Sequence, residues 1–174
     1  MRIRWARFLL VLLFVTILNA GEILDSVSVG SLHIKPDLLL IMLVFTAARA
    51  FGVDAITASF LIGFSADISG HAMGPHMIAY GLFGSFLSQL QKVVSMKKLT
   101  HQVAAIFVVA LVTGVLTQLL LYIKTGSSAS SFVKMILGTA VYSSLAGPVI
   151  WFVLSAMMLS TEERQGSYRR SANW

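Results

Sequence analysis

Six long apolar runs separated by short polar stretches set the pattern of this chain, at about residues 5–20, 36–51, 55–68, 77–94, 103–123 and 133–159. Strict alternation of apolar and polar positions, the mark of a membrane β-strand, is absent from these runs. A hydrocarbon core about 30 Å thick needs roughly 20 apolar residues in a helix. The pattern predicts an all-α, polytopic membrane protein with about six transmembrane helices in one domain, residues 1–160, followed by a basic tail, residues 161–174. Runs two and three are short, about 16 and 14 residues or roughly 24 and 21 Å. They fit a crossing of a thinned bilayer, or a re-entrant hairpin that enters and leaves on one side.

Composition narrows the class. Of 174 residues, 57% are hydrophobic and 11% charged, against about 45–50% and 25% in soluble domains. The mean hydropathy is +0.85. So few charges cannot cover a surface that faces water on every side. The absence of cysteine excludes a disulfide-stapled secreted domain.

The net charge of +6 becomes informative once it is placed along the chain. Arg2, Arg4, Arg7, Arg49, Lys92, Lys97, Lys98, Arg164, Arg169 and Arg170 fall on one side of the six runs, and Lys35, Lys124 and Lys134 on the other. This asymmetry predicts both termini in the cytoplasm. The basic excess is thereby a topology signal, and no nucleic-acid partner is expected. The first twenty residues also carry the basic and apolar regions of a signal peptide. Their best cleavage site, after Leu18-Asn19-Ala20, has a large residue where a small one is needed, so a retained first span is expected.

Polar residues inside or beside the spans are few. Pro36 and Asp37 open the second helix, where a proline loses no hydrogen bond and a carboxylate faces the positive helix end. Asp37 reads as a cap or as a functional carboxylate. Arg49 and Asp54 bracket a tight turn and read as a cytoplasmic anchor with its partner, or as a pair that closes the turn near lipid. In the third span Ala55, Ser59, Gly63 and Asp67 recur every fourth residue and form a small, polar ridge. Lipid supplies no hydrophobic drive for helix association, so such ridges mark close helix contacts. A charged Asp67 at mid-bilayer costs about 3 kcal/mol, which places it near an interface or inside the bundle. It is the strongest polar candidate in the chain.

His71 and His76 follow Asp67 in a D-x3-H-x4-H spacing, but Gly74-Pro75 interrupts the second interval, and metal binding is not expected. Small residues in the fourth and sixth spans read as helix contacts, Pro148 as a kink, and Gln118 with Tyr122 as one hydrogen-bonding face. No nucleotide loop, zinc-protease motif or nucleophile elbow is present. Neither catalysis nor a cofactor is expected.

Ile34-Lys35-Pro36-Asp37-Leu38-Leu39-Leu40 resembles the opening of the second helix in the bacterial rod shape-determining MreD family. Gly63-Phe64-Ser65-Ala66-Asp67-Ile68-Ser69-Gly70 with Met73-Gly74 is similar to that family's G-x-x-x-D…SG…LG signature, and Pro148 matches a proline common in its last span. Family members often have one more residue between the Asp and the Ser-Gly pair. The resemblance implies a non-enzymatic scaffold subunit of the cell-elongation complex in the bacterial inner membrane. It implies MreC as main partner, with MreB, RodA and a class B penicillin-binding protein as further ones. It also implies a fold similar to the substrate-binding subunits of energy-coupling-factor transporters. That likeness supplies an alternative function, a vitamin-type uptake subunit. Pro36, Asp37, Ser59, Gly63, Asp67, Gly70, Gly74 and Pro148 are the candidate residues for binding a partner or holding its surface in shape.

Overall fold

A computed structural model describes residues 4–20, 36–50, 52–70, 74–90, 99–126 and 132–159. These form six α-helices: α1 Trp5–Ala20, α2 Leu38–Arg49, α3 Val53–Ser69, α4 Pro75–Leu90, α5 Leu99–Thr125 and α6 Phe132–Leu159. The described structure is all-helical, and α5 and α6 contain stretches long and apolar enough to cross a membrane, Thr100–Lys124 and Val133–Met157.

The centre of the bundle is α2, which packs against all five other helices. Residues 39–47 are buried without a break, so this helix has no outward face. Its sequence explains the position, since it is apolar all round and an amphipathic stripe would leave one side in solvent. With 12 residues it rises only about 18 Å. Helix α1 shows the opposite arrangement. Phe8, Val11, Leu12 and Val15, at helical spacing, face inward, while Leu9, Leu10, Leu13, Phe14 and Ile17 face out. Each described helix other than α2 exposes large apolar side chains. Such a surface suits hydrocarbon and not water.

Helix limits differ from the apolar runs at several ends. Pro36 and Asp37 precede α2, because Asp37 adopts an extended backbone and caps the helix that begins at Leu38. α3 begins two residues before the run, after Gly52 at φ 58°. α4 begins at Pro75 and not at Met77. It ends at Leu90, and residues 91–94 of that run lie outside the described set. α5 reaches four residues farther upstream than the run, to Leu99. α6 continues through Pro148 as one helix. The first loop, residues 21–35, and the basic tail, 161–174, also lie outside the described residues.

At the far end of α2, Arg49 ties the central helix to α6. Its guanidinium lies 5.0 Å from the Phe45 ring centroid and 6.0 Å from that of Trp151, and Nη2 donates to Ser155 Oγ at 3.3 Å. A cation held against aromatic faces costs less near lipid than a bare one.

Candidate functional site

Gly63 and its neighbours on α3 explain how two helices come into backbone contact. Ala55, Ser59, Gly63 and Asp67 are all buried, and the ridge they form faces α4 of the same chain. A Cβ at Gly63 would lie 2.7 Å from the His76 carbonyl oxygen and 2.7 Å from Met77 Cα. No side chain fits there. Farther down, Ser59 stands directly against Gly84 of α4, its hydroxyl satisfied by the Ala55 carbonyl at 2.8 Å. The close approach maximises dispersion contact, which is what holds helices together in hydrocarbon.

Asp67 lies where this ridge meets the start of α4. It is 3% exposed. Its Oδ2 accepts the backbone N–H groups of Gly74 and Met77, both at 2.9 Å, and its Oδ1 accepts that of His76 at 3.0 Å. The opening N–H groups of a helix have no partner within it. Here a carboxylate from the preceding helix supplies one, at the end of α4 where the dipole favours negative charge. His76 Nδ1 is also 3.0 Å from Oδ1, so the ring packs against the carboxylate beside the three backbone donors. Gly74 has φ 112°, a conformation side chains rarely tolerate. Pro75 then occupies the first helical position, where its fixed φ and missing N–H do no harm. The Gly-Pro pair therefore starts α4, and does not merely interrupt the Asp–His spacing.

Gly70 closes α3 by donating its N–H to the Asp67 carbonyl at 3.3 Å. Ser69 Oγ donates to the Ala66 carbonyl at 3.0 Å and receives Asn19 Nδ2 at 3.5 Å, which brings in the end of α1. His71 lies outside the described residues, and among those described no three His, Asp or Glu side chains converge.

Asp37 marks a second capped corner. Its Oδ1 accepts the Leu40 N–H at 3.0 Å, and Tyr80 of α4 donates its hydroxyl to Oδ2 at 2.5 Å. The Asp37 N–H donates to Ser143 Oγ of α6 at 2.9 Å. The His76 and Tyr80 rings meet edge to face at 5.8 Å, so one face of α4 joins the two corners. The structure thus brings Gly63, Asp67, Gly70 and Gly74 together at the α3–α4 turn, sets Ser59 farther down the same helix pair against Gly84, and links Pro36-Asp37 to the turn through α4. Pro148 sits farther along α6, outside this hydrogen-bonded set. Sequence reasoning missed Tyr80, while Ser143 is among the small residues of the sixth span that read as helix contacts. Tyr80 follows His76 by four residues, which places both on one helical face, and that spacing was the available signal.

Chemically, this arrangement fixes geometry. Each carboxylate is engaged as an acceptor, and each fastens one helix to another. The family model of the rod shape-determining protein MreD matches residues 2–160. The match spans nearly the whole chain, which therefore belongs to the MreD family. No curated protein and no solved structure matches it.

Proposed function

We propose that this MreD-family chain is a non-enzymatic scaffold subunit of the cell-elongation complex, organising lateral peptidoglycan synthesis together with MreC. It resides in the bacterial inner membrane as a multi-pass protein of about six crossings, with both termini in the cytoplasm. The observation that carries the reading is the family match over residues 2–160, since the family determines rod shape. The ten-to-three division of basic residues supports the orientation. The apolar exterior of the helices supports the membrane location. MreB, RodA and a class B penicillin-binding protein are the further partners this role entails. The match to a shape-determining family favours the scaffold over an uptake subunit.

The candidate residues take a defined part in this proposal. The Ser59–Gly63–Asp67 ridge is filled by α4, so it holds the α3–α4 turn in the shape that a partner reads. The test is capture of MreC by the tagged chain from detergent-solubilised membranes. Wild type retains MreC, and Asp67→Asn loses part of it as the turn loosens. Failure of the folded wild type to retain MreC contradicts the proposal. A Gly63→Leu chain is expected to lose MreC as well, but it reads the fold first, because the added side chain collides with the α4 backbone.

A further inference from the structure

Beyond the scaffold role, and independently of it, we infer that the chain binds a primary ammonium group in a cavity between α2, α4, α5 and α6. The ammonium belongs to an aminophospholipid headgroup or to a free amine. The cavity has a volume of about 300 Å³ and is bordered by Asp37, Tyr80, Thr113, Thr117 and Gln118 along its polar side. That volume lies at the lower end of the range of small-ligand sites.

The observation that points to a ligand is Thr117. It is 7% exposed, it lines the cavity, and its hydroxyl has no hydrogen-bond partner among the described residues. Two other threonine hydroxyls on these helices are satisfied by their own backbone. One turn earlier, Thr113 donates to the Val109 carbonyl at 2.6 Å, and Thr46 donates to that of Met42 at 2.7 Å. A buried hydroxyl with no partner is uncommon in folded proteins, and a bound group accounts for it.

Apart from the Gln118 amide and the Thr117 hydroxyl, which can also donate, the free capacity around Asp37 is for accepting. Each Asp37 oxygen holds one hydrogen bond in the structure and has room for another. The Tyr80 and Thr113 hydroxyls spend their protons on Asp37 and Val109, which leaves their lone pairs. Among the described residues no Lys or Arg lines the cavity. A carboxylate and several lone pairs, with no Lys or Arg beside them, suit a compact cation with several N–H donors. Leu121, Met135 and Ile136 form an apolar wall beside these groups, which fits the chain attached to a lipid headgroup.

The full chain, purified in detergent, is titrated with phosphatidylethanolamine, phosphatidylcholine and phosphatidylglycerol of matched acyl chains, and binding is read by native mass spectrometry. Phosphatidylethanolamine is expected to bind about tenfold tighter than the other two, as one or two extra charge-assisted hydrogen bonds provide. Thr117→Val should weaken that binding several-fold, and Asp37→Asn about tenfold, because Asn keeps the helix cap while removing the charge. Ethanolamine added alone distinguishes the sources. Displacement of the lipid shows that the amine suffices, and no displacement assigns the site to the lipid. Equal binding of the three lipids overturns the inference. So does a Thr117→Val chain that binds phosphatidylethanolamine as wild type does, and this variant decides the matter if Asp37→Asn fails to fold.

Discussion

Asp67 and Asp37 each supply a carboxylate to the opening turn of a helix, yet their surroundings differ. Asp67 reaches across from α3 and is enclosed by three backbone N–H groups and a histidine. Asp37 caps its own helix, receives one tyrosine hydroxyl, and borders a cavity. The first corner is closed by the chain itself. The second retains unused acceptors and an orphan hydroxyl one helix away. A carboxylate near lipid is tolerated when donors surround it, and the number of donors separates a fastening from a site that still has capacity.

Substitutions should separate the two corners in proportion to what each side chain holds. The largest effect is expected for Asp67→Ala, which strips acceptors from three backbone donors at once. A loss of about 4 kcal/mol follows from charge-assisted bonds left unmade, read as a fall in thermal midpoint of the detergent-solubilised chain. Asp67→Asn should lose about half of that, since one oxygen survives. Next comes Gly63→Ala, at about 2 kcal/mol, because the atoms it meets are backbone and cannot swing away. Gly74→Ala should cost about 1 kcal/mol through its positive φ alone, since a Cβ there meets nothing within 4 Å. The smallest effect belongs to the open corner. Thr117→Val removes a hydroxyl that has no partner, so the lipid-free chain should be unchanged or up to about 1 kcal/mol more stable. A Thr117→Val chain as damaged as Asp67→Ala would erase the distinction between the corners.

Much of the closed corner was legible in the sequence. The four-residue spacing of Ala55, Ser59, Gly63 and Asp67 put the small residues and the carboxylate on one face, and the cost of a buried charge singled out Asp67. What spacing could not give was the partner. The ridge meets α4 of the same chain, and Asp67 is satisfied by backbone N–H groups, which every sequence has and no sequence marks. Gly74-Pro75 reads as a break in the sequence because proline excludes helix behind it, while the same ring favours the helix ahead. The open corner was less legible. Thr113, Thr117 and Tyr80 are common residues in apolar helices, and only the packing of four helices shows which hydroxyl lacks a neighbour. The sequence places Arg49 at its turn, but its contacts with Trp151 and Ser155 span over a hundred residues. The all-helical class was the easiest reading, since long apolar runs leave no other way to satisfy the backbone in hydrocarbon.

The central claim, that the chain acts in maintaining rod shape through a membrane complex with MreC, is tested most directly by depletion in the bacterium that carries it. Cell width is measured during depletion and again after a plasmid-borne copy is restored. The account predicts that rods widen and round as the protein is lost, that the wild-type copy restores them, and that an Asp67→Ala copy does not. Cells that stay rod-shaped and grow normally without the protein would contradict it.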